Sequence, residues 1–280
     1  MTDNGIPRLH NKVAVVTGSS SGLGRAIALA FASHGTKLIV CADLQPEPRK
    51  GSDGENEATH EMICREYGEG KARFVKCDVG VSEEVKQMIQ VAVEEGGRLD
   101  VIVNNAGIGH TDPTLRLHQL PDSEWDRFIR INATGVYNGS KHSLAQMVTQ
   151  EPDAKGSRGR IINVSSVMGL VASAGGAGAY NASKAASLNL TRQIALDYAR
   201  DRITANALCP GLIKTAMTRD LDETAAQAFL NATPWGDWLG ADDVAGGAVF
   251  LASDDAAVVT GIALPVDGGE SMFPQSDFCT

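Results

Sequence analysis

The stretch KVAVVTGSSSGLGRAIALAFASHG, residues 12–35, decides the fold. Lys12–Val16 is a β-branched run that reads as a strand. Thr17–Gly24 follows with three glycines, Gly18, Gly22 and Gly24, among small residues. From Arg25 the pattern is helical, and Gly35 supplies a C-terminal stop. Strand, glycine loop and helix together predict the opening of a βαβ unit. Missing side chains let a backbone approach a pyrophosphate, and free N–H groups at a helix start near Gly24 favour its charge. The spacing is not the G-x-G-x-x-G form. The same physics still predicts a phosphate cradle formed by Gly18, Ser20, Ser21, Gly22, Leu23 and Gly24.

Working outward, Lys37–Ala42 is a second strand with Asp43 at its end. An acidic side chain about 20 residues beyond the glycines accepts hydrogen bonds from ribose hydroxyls and repels a 2′-phosphate. Ser19–Ser21 include no Lys or Arg, so NAD is expected over NADP, with Arg49 and Lys50 as the nearby basic groups that would reverse the preference. Residues 45–57 read as a polar loop and Ala58–Tyr67 as a helix. Ala72–Lys76 is a third strand, with Asp78 just beyond it as a partner for an adenine amino group. Ser82 is the expected N-cap of a helix whose apolar face is Val85, Met88, Ile89, Ala92 and Val93.

Asp100–Val103 is a fourth strand that runs into Asn104, Asn105, Ala106 and Gly107, small and amide residues suited to the ligand-binding end of an open sheet. A loop over 108–121 and two helices, Asp122–Arg130 and about Asn132–Thr149, are expected next. Ile161–Val164, Ile203–Leu208 and Ile262–Val266 complete the strands, with helices from Tyr180 and over Asp242–Ser253. Residues 216–240 are irregular. Strands alternating with helices, without a linker or repeat, predict one domain over 1–280. Its fold class is α/β, a single doubly wound parallel sheet of about seven strands with helices on both faces, Rossmann-type. A segment about 212–240 would cover a substrate, and 270–280 would be a short tail.

A second stretch, RIINVSSVMGLVASAGGAGAYNASKAASLNLTRQIALDYA over 160–199, carries the chemistry. An apolar strand ends in Ser165 and Ser166, a small-residue loop follows, and Tyr180 and Lys184 lie one helical turn apart on one face. A phenol titrates near pH 10, and a fixed ammonium beside it is expected to lower that value. With a serine hydroxyl alongside, the three groups make an acid/base device for a C–O(H) centre.

Composition narrows the field. The 280 residues are 43% apolar and 21% charged, with a net charge of −9. That balance argues against nucleic acid or an anionic membrane surface as a partner. Cys41, Cys64, Cys77, Cys209 and Cys279 form no CxxC, and three of them lie in or beside apolar runs, which suggests core packing in a reducing compartment. His10, His34, His60, His110, His118 and His142 form no metal-ligand pattern, so no metal is expected. No GxSxG elbow is present to support a hydrolase. Without a hydrophobic leader or an apolar run of 18 residues, the chain is read as cytoplasmic.

Taken together, these motifs resemble the classical short-chain dehydrogenase/reductase family over nearly the whole chain, Lys12 to Gly269. The resemblance rests on TGxxxGxG at Thr17–Gly24, NNAG at Asn104–Gly107, the serine before YxxxK, the segment Pro210–Thr215 and the closing DGG. It implies Tyr180 as general acid/base, Lys184 holding the nicotinamide ribose while lowering the tyrosine's pKa, and Ser166 orienting the substrate oxygen. Asn132 would distort its helix and hold a water in a proton relay. Asp78 and Val79 would contact adenine, Asn105 would lie beside the adenosine ribose, Ile213 and Thr215 would fix the carboxamide, and Ala106, Gly107, Pro210 and Gly211 would also bind the cofactor. Asn206 and Thr17 would be structural. Relatives are often tetramers, so a homo-oligomer, tetramer or dimer, is expected. Two departures stand out: the serine-to-tyrosine loop is one residue longer than the usual spacing if Ser166 is the catalytic serine, which keeps Ser165 open, and the loop after Asp43 is extended.

The expected function is an NAD(P)-dependent oxidoreductase interconverting a secondary alcohol and a ketone. Small residues over 172–179 point to a cyclic or bulky apolar substrate. A dehydratase or epimerase on the same scaffold, or a non-catalytic dinucleotide-binding regulator, are the alternatives.

Overall fold

The computed structural model describes residues 7–49, 56–109, 115–172, 177–214, 227, 230–231 and 233–272. Its centre is a seven-stranded sheet of order β3-β2-β1-β4-β5-β6-β7. The strands are β1 Val13–Thr17, β2 Leu38–Asp43, β3 Ala72–Lys76, β4 Val101–Asn104, β5 Gly159–Val164, β6 Ile203–Pro210 and β7 Ala263–Val266. All pairings are parallel. The expected strands are all present, displaced by a residue or two at their ends, and β6 extends to Pro210.

The helices are α1 Gly22–Ser33, α2 Thr59–Tyr67, α3 Ser82–Gly96, α4 Asp122–Phe128, α5 Gly135–Met147, α6 Gly178–Tyr198 and α7 Ala241–Ala252. Alternation along each strand divides the core into two faces. Ala14 and Val16 of β1 join Ile27 and Phe31 of α1 and Leu251 of α7 on one side. Val13 and Val15 join Met88 of α3, Leu144 of α5 and Ile194 of α6 on the other. No helix among the described residues is long and apolar enough to cross a membrane.

Sheet order reverses between β1 and β4, the crevice where open α/β sheets hold ligands. The glycine loop leaves β1 and the Asn104–Gly107 segment leaves β4 on that edge. Register brings Asn104 level with Asn163 and Val164 level with Leu208, so the segments after β4, β5 and β6 emerge side by side.

Two local expectations are corrected. Ser82 does not cap α3. Val81 is the N-cap, without a side-chain bond, and the Ser82 hydroxyl, the first helical residue's, pairs with His142 Nε2 at 2.8 Å. The separate helices expected around residue 131 are joined by a π-helical turn, Ile129–Thr134. Its one-residue expansion rotates the apolar pattern, which makes a continuous segment read as two.

Candidate active site

The glycine loop is shaped for close backbone approach. Gly18 and Gly22 have φ of +68° and +56°. A Cβ on Gly24 would lie 2.1 Å from the Gly18 carbonyl oxygen, and one on Gly18 would lie 2.9 Å from Ala106 Cα. Helix α1 begins at Gly22, two residues before the expected start. Its N-cap Ser21 makes no side-chain hydrogen bond, and its first turn has no acidic residue. Uncapped N–H groups at the start of a 12-residue helix, beside a loop with no room for side chains, fit an anionic pyrophosphate.

Asp43 faces this loop. Its carboxylate accepts from Ser20 N at 3.0 Å and Leu44 N at 2.8 Å. Arg25 points away and is buried. Its guanidinium donates to Glu57 O at 2.7 Å, Thr59 Oγ1 at 3.1 Å and Met62 Sδ at 3.2 Å. Beyond β3, the Asp78 carboxylate takes a hydrogen bond from Gly80 N (2.8 Å) and an ion pair from Arg130 (2.5 Å). Arg130 was not singled out in the sequence. Val79 is buried, and its carbonyl accepts from Asn138 Nδ2 at 2.9 Å.

Thr17 and Asn105 join the two loops at the crevice. Thr17 Oγ1 accepts from Asn105 N and Ala106 N, each at 3.0 Å, while Asn105 Nδ2 donates to Thr17 O at 2.9 Å. Thr17 and Asn206 are thus structural, as expected: Asn206 ties β6 to Val259 O at 2.8 Å. Asn105 spends its amide on the glycine loop.

At the end of β5 the two serines part. Ser165 Oγ donates to the Lys184 carbonyl at 2.9 Å and lies under α6. Ser166 Oγ accepts from Met168 N at 3.2 Å and lies near enough to the Tyr180 phenol to lower its pKa. Tyr180 is the third residue of α6, and its ring meets Phe128 edge-on, with centroids 6.3 Å apart. Lys184 Nζ sits 5.7 Å from the same ring's centroid and donates to Val164 O at 3.0 Å.

Asn132, fully buried in the π turn, closes the group. Its Oδ1 accepts from Ile108 N at 2.9 Å, and its Nδ2 donates to Ile108 O and Ser183 Oγ, each at 3.1 Å. Ser183 in turn donates to Tyr180 O at 2.7 Å. Asn132 therefore links the loop after β4 to the first turn of α6. A Cβ on Gly107 would lie 3.2 Å from Asn132 Oδ1 and 3.4 Å from Lys184 Nζ, which places all three together.

The electrostatics differ from the expectation. Burial raises the Tyr180 phenol above its ordinary value, opposed by the nearby Ser166 hydroxyl. Lys184 is itself lowered to about 8 by burial. Helical spacing puts the ammonium over the ring, and the cost of desolvating each charged form exceeds what that placement returns. The Cys209 thiol beside them is buried and pushed up to about 11, so it is no nucleophile at neutral pH. Cys41 and Cys77 are likewise buried thiols of the core, both pushed up to about 12.

Sequence reading missed the polar layer beneath. Asn104 Nδ2 donates to Asn163 Oδ1 at 2.8 Å, Asn163 Nδ2 to Thr191 Oγ1 at 2.8 Å, and Thr191 Oγ1 to Ser187 O at 2.8 Å. A Cβ on Gly139 would fall 1.8 Å from Asn104 Oδ1. The available signal was Asn163, an amide inside the apolar run of β5. On the far side, Pro210 ends β6, Gly211 N donates to Val266 O at 3.2 Å, and Ile213 bridges to Leu239. Thr215, Lys50, His110, Cys279, residues 173–176 and most of 215–232 lie outside the described residues.

A family model described as enoyl-(acyl carrier protein) reductase matches residues 18–271. A 3-oxoacyl-[acyl-carrier-protein] reductase of Thermotoga maritima is 34% identical over 262 residues, covering 94% of this chain and 98% of that protein. 3beta-Hydroxysteroid dehydrogenase 2 of Eggerthella lenta is 34% identical over 273 residues, 95% and 97% of the two chains. (+)-Borneol dehydrogenase 2 of Salvia officinalis is 37% identical over 274 residues, 94% and 90%. With this sheet order, glycine loop and serine–tyrosine–lysine group, the chain belongs to the short-chain dehydrogenase/reductase family of oxidoreductases.

Proposed function

We propose that the protein interconverts a secondary alcohol and a ketone with NAD as its preferred cofactor. The observation that carries this reading is Lys184 over the Tyr180 ring with Ser166 beside the phenol, at the end of the sheet where the glycine loop emerges. A nicotinamide dinucleotide, when bound, donates or accepts the hydride. Gly18–Gly24 and the start of α1 hold its pyrophosphate, and Asp43 its adenosine ribose. Adenine lies beside Asp78 and Val79. Asn105, Ala106 and Gly107 would border the adenosine, Lys184 the nicotinamide ribose, and Pro210, Gly211 and Ile213 the carboxamide.

Ser166 orients the substrate oxygen, and Tyr180 gives it a proton in reduction or removes one in oxidation. Two donors aimed at that oxygen stabilise the charge that develops on it. Asn132 fixes the start of α6, and so Tyr180, relative to the loop after β4, and the π turn frees backbone capacity for a water in the proton path. The relatives' names mention a 3-oxoacyl group, a 3β-hydroxysteroid and borneol, which share an oxygen on a secondary carbon. Phe128 against Tyr180 and the small residues over 172–179 favour a cyclic or bulky apolar substrate. Exposed Tyr137 on α5 and Leu196 on α6 support a homo-oligomer.

A raised phenol keeps Tyr180 protonated at neutral pH, so ketone reduction should be nearly independent of pH from 6 to 8. Alcohol oxidation needs the phenolate. Its kcat/KM should climb about tenfold per pH unit over that range. Above about 8 Lys184 loses its proton and its support of the phenolate, so the rise should flatten. An oxidation rate that falls between pH 6 and 8 would contradict this assignment.

Cofactor choice is tested at Asp43. A carboxylate at the ribose hydroxyls favours NAD and repels a 2′-phosphate, and Arg25 is spent on Glu57, Thr59 and Met62. Asp43→Ser should lower the ratio of kcat/KM for NAD over NADP by about ten- to a hundredfold, the worth of one charge-assisted hydrogen bond. An unchanged ratio would remove Asp43 from the site.

A further inference from the structure

Beyond the serine, tyrosine and lysine, another buried ionisable group lies against the segment that follows β6. Glu270 opens a short 3-10 turn after β7 and is 4% exposed. Its Oε2 accepts from Leu212 N at 2.9 Å. A Cβ on Gly211 would lie 2.5 Å from the same oxygen, so the carboxylate rests directly on the Gly211–Leu212 backbone.

The neighbouring contacts make this a clamp. Asp267 Oδ1 accepts from Gly269 N at 3.0 Å and its Oδ2 from Ser271 N at 2.8 Å, which stiffens the turn presenting Glu270. Glu270 N donates back to Asp267 O at 3.1 Å. Opposite, Lys214 N donates to Leu239 O at 3.0 Å. Ile213 is thus suspended between two fixed points, Glu270 at Leu212 and Leu239 at Lys214. Trp235 N bonds Gly268 O at 3.0 Å and brings the 233–236 segment onto the same turn.

Stability alone does not account for a carboxylate there. Burial and the nearby Asp267 charge raise its pKa, and no cation pairs with it among the described residues. An uncharged amide of the same shape would accept the same hydrogen bond without that cost. What the carboxylate provides is a charge-assisted hydrogen bond to one particular N–H.

We infer that Glu270 is a positioning residue for the nicotinamide end of the cofactor, holding the Gly211–Lys214 loop at the height that Ile213 needs to border the carboxamide. This rests on the dinucleotide reading above. It is tested by calorimetric binding of NAD and of ADP-ribose, which lacks the nicotinamide, to wild type, Glu270→Gln and Glu270→Met, with thermal melts of each.

Glu270→Gln, which keeps an acceptor oxygen, should bind both ligands within about threefold of wild type. Glu270→Met should bind NAD about tenfold more weakly and bind ADP-ribose unchanged, with a somewhat lower melting temperature from the orphaned Leu212 N–H. Equal loss of both ligands, or no loss of NAD binding, would overturn the positioning role. Wild type that bound neither ligand would overturn the dinucleotide reading itself.

Discussion

Tyr180→Phe is expected to lower turnover about 10³-fold, within the range that a positioned general acid/base contributes, while dinucleotide binding stays within about twofold. The separation follows from where the phenol sits. Its hydroxyl lies on the Ser166 side, whereas the cofactor-side features (Gly18–Gly24, Asp43 and the Lys184 ammonium) remain intact. Phenylalanine preserves the ring that packs on Phe128 and lies beneath Lys184, so folding should change by only about 1 kcal/mol, the worth of one hydrogen bond. Ser166→Ala should cost less, about 10²-fold, because the proton donor remains. Substantial residual activity in Tyr180→Phe, measured by absorbance at 340 nm, would remove the phenol from the mechanism.

Gly24→Ala should be almost as damaging for a different reason. The added methyl would stand 2.1 Å from Gly18 O and 2.5 Å from Asn105 Nδ2. Backbone on one side and a doubly bonded amide on the other leave nothing flexible to yield. The start of α1 must then withdraw from the loop, with an overpacking cost of about 1–3 kcal/mol. The same movement spoils the convergence of N–H groups at the cradle. Dinucleotide affinity should fall at least tenfold, and the rise in melting temperature that saturating NAD gives wild type should largely disappear. A variant that kept the full NAD-induced rise would place the pyrophosphate elsewhere.

Strand positions were legible because parallel strands buried on both faces are written as short apolar runs, bounded here by Gly18, Asp43, Asn104 and Ser165. Ser166, Tyr180 and Lys184 could be read because spacing along one helix and one strand end fixes their neighbourhood. Two things could not be read that way. The choice between Ser165 and Ser166 depends on which hydroxyl turns under α6, set by the Lys184 carbonyl 19 residues away. The direction of the pKa shifts depends on how deeply the pair is buried, a property of the assembled cleft. Long-range polar partners were equally hidden: Arg130 on Asp78, Glu270 on Leu212 N, and Asn163 between Asn104 and Thr191. Each joins residues whose spacing follows no helical or strand period.

The central claim is that Tyr180 and Ser166 serve direct transfer between a bound nicotinamide and a carbinol carbon. Reduced NAD carrying deuterium at the transferable C4 position, incubated with the protein and a panel of cyclic ketones, tests it most directly by mass spectrometry of the alcohols formed. The account predicts one deuterium on the carbinol carbon of each product, in step with loss of absorbance at 340 nm. Oxidation of the cofactor without label in the product, or turnover of substrate with the cofactor returned unchanged, would contradict it.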